Sequence, residues 1–431
     1  MPVAFSFRKA IAGAGLALAA VACQSNSASS EKPAPGETAG TNSNYLPAGP
    51  WRGVLSAQGQ EIPFLFDIET GNNNQPVAVT LRNGEERLKL DEIKTVGDST
   101  TIRLGAFDAA LVVYRDGETN LKGAWVKYDG KTPYRVPFSA RKGSGSLFGA
   151  KSGQENQSFD GTWKVTFKGD DGETYPAVGV FKQQDRNITG TFLTSTGDYR
   201  YLAGNVDGNT MRLSTFDGSH GFLFTAQKQG NTLQGDFYSG KSGHETWTAT
   251  LDPNAKLPDA NALTGMKPGQ KKLNFTFPSI YEGGSISPSD PKYKGKVVVV
   301  QVLGSWCPNC MDETNFLAPW YEKNKQRGVE IIGLGYERTA DQKLASQKLL
   351  KMKERMKVGY DLAVAGQASA AEASKSLPQL AKVIAFPTTI FLDKKGEVRK
   401  IHTGYSGPGT GKYYEQEVAE FNKTIDQLLA E

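Results

Sequence analysis

Two cysteines separated by two residues, Cys307 and Cys310, have the spacing in this chain that most directly indicates chemistry. They follow an apolar run and begin a segment with helical character, so the first sulfur falls at a helix N-terminus. Unpaired backbone N–H groups and the positive end of the helix dipole stabilise a thiolate there. Cys307 is therefore predicted to attack a disulfide, and Cys310, one turn on and facing inward, to resolve the mixed disulfide. Pro308 suits the first helical turn because a proline has no N–H to leave unpaired.

The third cysteine, Cys23, ends a segment with the features of an export signal. A basic start precedes an uncharged stretch over residues 10–22, which is shorter than the ~20 residues that a membrane-spanning helix needs. The ending Ala-Val-Ala-Cys resembles the lipobox of bacterial lipoproteins, with Ala20 where leucine is usual. We expect residues 1–22 to be removed and Cys23 to carry lipid. Cleavage after Ala22 beside an incidental cysteine is the alternative.

The assignment of the three cysteines predicts where in the cell the protein lies. With Cys23 assigned to lipid, no cysteine remains for a structural disulfide framework. The close pair serves chemistry, because a two-residue gap closes too small a loop to stabilise a fold much. We therefore expect a lipid-anchored, extracytoplasmic protein on the periplasmic side of a bacterial cell envelope.

The chain divides into segments that differ in composition and in the pattern of their apolar residues. Residues 24–50 are rich in Ser, Asn, Gly, Ala and Pro, which predicts a flexible tether. Short alternating stretches with Gly, Asn and Asp turns follow, and the last third has the pattern of an α/β domain. The predicted segments are a signal peptide (1–22), a tether (23–50), a first β repeat (51–141), a linker (142–158), a second β repeat (159–252), a linker (253–266) and an α/β domain (267–431).

The two β segments are similar to each other. Residues 101–104 match residues 210–213, and Trp51 matches Trp163 at an offset three residues larger. The fold class predicted for this half is all-β, with two tandem antiparallel repeats of roughly 90 residues. Two small barrels or sandwiches, and two halves of one larger sheet, both satisfy the pattern.

The last third alternates apolar runs with helical stretches. The run over residues 296–303 is nearly continuous, as in a strand covered on both faces. The predicted elements are strands at 296–303 and 329–334, a hairpin of 388–392 with 397–401, and helices at 309–326, 341–356 and 413–429.

Residues 300–310 resemble the active-site strand and helix start of TlpA-like thiol–disulfide oxidoreductases, which are relatives of thioredoxin. The resemblance extends over residues 267–431 and implies a thioredoxin fold. It also implies a reductase of protein disulfides, with protein or small-molecule disulfides and dithiols as substrates and a membrane electron carrier as reductant. No cofactor is implied beyond the redox-active disulfide of Cys307 and Cys310.

The same resemblance assigns residues to substrate binding. Phe386, Pro387 and Thr388 resemble the family segment that holds a cis-proline against the sulfurs and pairs with substrate backbone. A trans turn proline is the alternative for Pro387. Trp306 and Pro308 are also assigned to substrate binding. Trp306 is expected to flank the reactive sulfur and to limit its access to solvent, and a half-buried packing aromatic is the alternative.

One departure from the family concerns proton handling. Gln301 stands where cytoplasmic thioredoxins keep a buried carboxylate for the inner cysteine. Some TlpA-like proteins use a glutamate on the next strand, and Glu337 lies in that region. Glu337 is therefore a candidate catalytic base, and a solvated loop charge is its alternative.

Other function classes fit the sequence less well. Scattered Lys and Arg beside scattered Asp and Glu, for a net charge of +5, indicate a solvated surface and no nucleic-acid partner. A zinc site would need about four ligands, whereas the chain adds to the cysteine pair only three widely separated histidines. The residues before Cys307 do not match a peroxiredoxin motif. The main alternative is an anchored binding or assembly lipoprotein whose β repeats bind a partner and whose redox domain is accessory.

Overall fold

Antiparallel strands build the N-terminal half of the described chain. The computed structural model describes residues 45–105, 107–128, 132–151 and 153–431. Its first sheet has nine strands: β1 (Gly49–Ala57), β2 (Gln60–Thr70), β3 (Pro76–Asn83), β4 (Glu86–Leu90), β5 (Ile93–Val96), β6 (Ser99–Arg103), β7 (Ala109–Arg115), β8 (Asn120–Lys127) and β9 (Tyr134–Lys142). They follow the order β4-β3-β2-β1-β9-β8-β7-β6-β5.

A second antiparallel sheet follows and closes on itself. Its strands are β10 (Gly161–Gly169), β11 (Thr174–Gln184), β12 (Asn187–Thr194), β13 (Gly197–Asp198), β14 (Leu202–Asp207), β15 (Thr210–Phe216), β16 (Gly221–Gln229), β17 (Thr232–Ser239) and β18 (Gly243–Leu251). They follow the order β11-β10-β18-β17-β16-β15-β14-β12-β13, and β11 also pairs with β12. This extra ladder makes the second sheet a closed barrel, whereas β4 and β5 of the first sheet share no ladder among the described residues.

The two sheets repeat one arrangement. In each, the first strand lies between the second strand and the last. Trp51 in β1 and Trp163 in β10 are both fully buried. Each indole Nε1 donates to a carbonyl oxygen four residues earlier, at 3.1 Å to Pro47 and 3.0 Å to Phe159. The all-β prediction for this half is confirmed, and of the two arrangements left open the structure has two separate sheets.

The last third has a thioredoxin fold, as predicted. Its strands are β19 (Phe277–Pro278), β20 (Ser285–Ile286), β21 (Val297–Leu303), β22 (Val329–Glu337), β23 (Asp361–Gln367), β24 (Thr388–Leu392) and β25 (Val398–Thr403). Its α-helices are α1 (Pro308–Asn324), α2 (Gln342–Met356), α3 (Ala370–Ser376) and α4 (Lys412–Ala430). The central sheet has the order β23-β22-β21-β24-β25. The pairs β21–β22 and β22–β23 are parallel, and the pairs β21–β24 and β24–β25 are antiparallel.

Burial explains the central position of β21. All seven of its residues are buried, and their side chains alternate between two apolar clusters. One cluster joins β21 to α1, α2 and α4, and the other joins it to α3. A strand that is covered on both faces has a continuous run of apolar residues in its sequence. This run is why β21 could be predicted.

Some elements were not predicted. β23 and α3 were missed, and β22 continues to Glu337 instead of ending at residue 334. Within the described residues, no helix combines the length and apolar composition needed to cross a bilayer. The predicted signal peptide, Cys23 and most of the predicted tether fall in residues 1–44, outside the described residues.

Candidate active site

Cys307 and Cys310 lie at the N-terminus of α1 and are both free thiols. Cys307 caps the helix: its Sγ accepts a hydrogen bond from the Cys310 backbone N at 3.3 Å. The Cys307 thiol also donates to the carbonyl oxygen of Phe386 at 3.5 Å. Cys307 retains 6% of its surface exposure, whereas Cys310 has none. Burial, reinforced by the adjacent Cys307, raises the pKa of the Cys310 thiol well above its ordinary value. The two sulfurs therefore have different environments, with the outer one at the helix end.

The predicted substrate-binding segment meets the outer sulfur. The Phe386–Pro387 peptide bond is cis, and the Thr388 side chain is buried and donates to the Ala385 carbonyl at 2.8 Å. Trp306 packs edge-on against Phe386, with ring centroids 5.6 Å apart. Its Nε1 donates to the carbonyl of Tyr336 at 2.8 Å.

Trp306 also lines the cavity at Cys307 together with Pro308. Both interpretations given for Trp306, flanking the sulfur and packing, therefore describe it.

Glu337 is buried at the end of β22, with 1% exposure. The interpretation of this residue as a solvated loop charge is wrong, because the strand continues through it into the core. Its two carboxylate oxygens accept hydrogen bonds from the backbone N and the Oγ of Ser305, both at 2.8 Å. Glu337 thus fixes the turn that leads from β21 to the cysteines.

A second buried carboxylate, Glu313 of α1, lies one helical turn after the inner cysteine, and the sequence analysis missed it. Glu313 accepts a hydrogen bond from Gln301 Nε2 at 2.8 Å and another from the Thr389 hydroxyl. Burial raises the pKa of Glu313 to about 7, and the Glu313 charge contributes to the raised pKa of Cys310. The signal was present: Glu313 lies three residues after Cys310, a spacing that puts two side chains on one helix face.

The second sheet also contributes to the site, which the sequence did not indicate. Arg200, between β13 and β14, donates to the Pro308 carbonyl oxygen at 3.1 Å and forms an ion pair with Asp312 on α1. Its guanidinium also pairs with Glu86 of the first sheet and lies 3.7 Å from Asp217. Burial raises the pKa of Asp312 to about 7 although Arg200 opposes the rise. One buried cation therefore joins both sheets to the active-site helix.

A cavity of about 240 Å³ lies between the barrel and the cysteines. Asn309 Nδ2 donates to the Asp198 carbonyl at 3.2 Å, and the Asp198 carboxylate accepts from the Gly407 backbone N at 2.6 Å. Asp198 of the barrel therefore contacts both the cysteine motif and the segment before α4. The residues that line the cavity are Thr194, Thr196, Gly197, Asp198, Tyr199, Arg200, His220, Phe222, Trp306, Cys307, Pro308 and Asn309.

Comparison with known proteins is consistent with this geometry. The Redoxin family model matches residues 267–420. The thiol-disulfide oxidoreductase ResA of Bacillus thuringiensis subsp. konkukian is 31% identical over 133 residues, which are 31% of this chain and 68% of that protein. ResA of Geobacillus kaustophilus is 30% identical over 112 residues, 26% of this chain and 57% of that protein. Among solved structures, a thiol-disulfide oxidoreductase from Bacteroides fragilis has a TM-score of 0.26 and 18% identity, covering 34% of this chain and 99% of that one.

Proposed function

This chain belongs to the ResA-type thiol–disulfide oxidoreductases through its C-terminal domain, and we propose that it reduces disulfides outside the cytoplasm through Cys307 and Cys310. The observation that supports these roles is the position of the Cys307 sulfur. It lies at the start of α1 and 3.5 Å from the carbonyl oxygen that precedes cis-Pro387, with Cys310 buried behind it.

The exchange runs in two steps. The Cys307 thiolate attacks one sulfur of the substrate disulfide; a mixed disulfide forms, and the other substrate sulfur leaves as a thiolate that takes up a proton. Cys310 then transfers its proton to the Glu313 carboxylate and attacks the Cys307 sulfur. The Cys307–Cys310 disulfide forms, the second substrate sulfur leaves, and two electrons have passed to the substrate. A membrane electron carrier of dithiol type returns the chain to its reduced form.

Glu313 fits the proton-acceptor role better than Glu337. A general base works best when its pKa lies near the working pH, and burial brings Glu313 to that range. Both Glu337 oxygens are occupied by Ser305. We therefore assign the proton transfer to Glu313 and the positioning of the turn to Glu337.

The anchor and the location belong to the same proposal. The basic start, the short apolar stretch and Cys23 support a lipoprotein attached to the membrane on the periplasmic side of a bacterial envelope. Lipid at this position would keep the domain close to a membrane-bound electron donor.

A coloured disulfide tests the redox role on the full chain. Reduced protein mixed with 5,5′-dithiobis(2-nitrobenzoate) should release one thionitrobenzoate when Cys307 attacks and a second when Cys310 resolves. Cys310→Ser should release only the first and keep the other half bound, while Cys307→Ser should lose the fast phase. Full release by Cys307→Ser would refute the assignment. The reduction potential of the pair, measured against glutathione, tests the direction, since a reductase needs a potential well below that of its substrates.

The β region is the remaining question, and the structure favours a role at the same active site over a separate binding module. His220 of the barrel stacks on Phe222 with ring centroids 4.7 Å apart, and both residues line the cavity at Cys307. We propose that His220 and Phe222 limit which disulfides reach the Cys307 sulfur. His220→Ala should change the ratio of insulin reduction to small-disulfide reduction, while His244→Ala, whose side chain lies outside this cavity, should not. An unchanged ratio would favour the alternative, an anchored binding or assembly protein with an accessory redox domain.

A further inference from the structure

A row of polar side chains crosses one face of the C-terminal sheet beneath α1. Gln301 of β21 lies opposite Thr389 of β24, which in turn lies opposite His402 of β25. Directly opposed residues on neighbouring strands point to the same face. Gln301 and Thr389 both donate hydrogen bonds to Glu313. His402, the third member of the row, is not used by the mechanism described above.

The groups around His402 favour its cationic form. Its Nε2 donates to Glu417 of α4 at 2.9 Å, and its Nδ1 lies 3.0 Å from the Asn261 Oδ1. Burial opposes a charge on the imidazole, yet the hydrogen bond and the charge of Glu417, aided by Glu313, raise the pKa of His402 above its ordinary value. With both ring nitrogens facing acceptors, the imidazolium is the form that these partners favour.

A small cavity separates His402 from Glu313. Its volume is about 20 Å³, and a buried water needs roughly 10–15 Å³ with two to four polar partners. Glu313, Thr389, His402 and Glu417 all line it. Tyr405 lines it too, and its hydroxyl is buried. The cavity therefore has the size and the polar lining that one water molecule requires.

We propose that His402 is a positioning residue for the resolving step: its imidazolium, held by Glu417 and Asn261, faces Glu313 across a water molecule in this cavity and stabilises the carboxylate that accepts the Cys310 proton. The inference rests on the proposed dithiol function and adds a residue to it. His402 touches neither sulfur, and it acts through Glu313. The charge of His402 lowers the pKa of Glu313 against the effect of burial, so Glu313 is ionised at neutral pH in a larger fraction of molecules.

Other charged residues also line the cavity between His402 and Glu313, and they affect the pKa of both groups. Glu417 and Glu420 lie on α4, Lys400 on β25 and Glu313 on α1. Lys400 pairs with Glu420 at 2.9 Å, so these two largely cancel. The pair of His402 and Glu417 is the one whose cation faces Glu313, and removing that cation is the direct perturbation.

His402→Gln tests this, because glutamine keeps the capacity to hydrogen bond and removes the charge. The release of the second thionitrobenzoate is followed from pH 5.5 to 9. In the wild type the rate of that phase should have its midpoint near the pKa of Glu313, about 7. In the variant the midpoint should move up by about one pH unit, which lowers the rate at pH 7 roughly fivefold and leaves it unchanged at pH 9. The first phase should not change. His244→Gln, the same replacement on the barrel, is the matched control.

The outcomes separate this inference from the proposed function. A wild-type chain that releases no thionitrobenzoate refutes both. Normal release in two phases with an unmoved midpoint in His402→Gln refutes the role of His402 alone. Should the variant fail to fold, histidine NMR of the wild type decides, because the chain has three histidines. A His402 signal that titrates below pH 6 shows a neutral ring at the working pH and overturns the proposal, and one that titrates above pH 7 supports it.

Discussion

Replacement of Glu313 by glutamine should stabilise the C-terminal domain and at the same time slow the resolving step. The pKa of Glu313 is about 7 in the folded chain against an ordinary value of 4.5. A carboxyl whose folded pKa is raised destabilises the fold increasingly as pH rises from about 4.5 to about 7, and fully above that. The difference of about 2.5 pH units corresponds to ~3 kcal/mol at pH 8, taking about 1.4 kcal/mol for each unit.

Part of this gain in the free energy of unfolding is offset in Glu313→Gln by the loss of a hydrogen bond. Glutamine at position 313 can still accept a hydrogen bond from Thr389, but its amide N–H₂ faces the Nε2 of Gln301, which donates to the carboxylate in the wild type. One buried hydrogen bond is therefore lost, at a cost of about 1 kcal/mol. The net expectation is about 2 kcal/mol of added stability at pH 8. Well below pH 4.5 the carboxyl is protonated in both the folded and the unfolded chain, so only the lost hydrogen bond counts and the variant should be about 1 kcal/mol less stable than wild type.

Thermal unfolding of the full chain at pH 5 and pH 8 measures this. The transition of the C-terminal domain should rise by roughly 4–8 °C in Glu313→Gln at pH 8, and the difference from wild type should shrink at pH 5. Resolution should slow by ~10²-fold at pH 7, because the acceptor of the Cys310 proton is gone. A variant that is less stable than wild type at pH 8, or that resolves at the wild-type rate, would contradict the burial argument and the catalytic argument respectively.

Three further changes have definite expected results. Arg200→Met should destabilise the chain by about 3–5 kcal/mol, since it leaves Asp312 and Glu86 buried without their cation; Asp312→Asn in the same chain should recover part of the loss, as measured by urea unfolding. Glu337→Gln should change the resolving rate by less than threefold at pH 7 in the thionitrobenzoate assay, because its bonds to Ser305 hold a turn and carry no proton; a ~10²-fold loss would restore it as the base. Cys23→Ala should move the protein from the membrane pellet to the soluble extract, and continued pelleting would remove the lipid anchor from this account.

Local signals made the thioredoxin domain and the cysteine pair predictable. A continuous apolar run, a Cys-Pro-Asn-Cys motif and a proline before a hydrophobic strand each depend on a few neighbouring residues. β23 was missed because the segment Asp361–Gln367 is short and contains two alanines and a glycine, which have low strand propensity. It is a strand because it pairs with β22 along the sheet edge.

The parts of the site that the sequence did not reveal depend on distant contacts. Arg200 is 112 residues from Asp312 and 114 from Glu86 along the chain, and no spacing rule connects them. The two interpretations of Glu337, a catalytic base and a solvated loop charge, both stayed open in the sequence because nothing local showed that β22 continues past Leu334. Glu313 was missed although its three-residue spacing from Cys310 is visible in the sequence, because that spacing does not show which helical side chains are buried against β21 and β24.

The difference in exposure between Cys307 and Cys310 determines the order of events in the proposed catalytic cycle. The outer sulfur faces the 240 Å³ cavity between the barrel and α1, while Cys310 has no exposed surface. In the proposed reaction, an oxidised substrate and an electron donor therefore both react with the Cys307 sulfur, each after the other has left. Such an enzyme obeys ping-pong kinetics: double-reciprocal plots at different donor concentrations are parallel lines, and an excess of either reactant inhibits by occupying the form that the other requires.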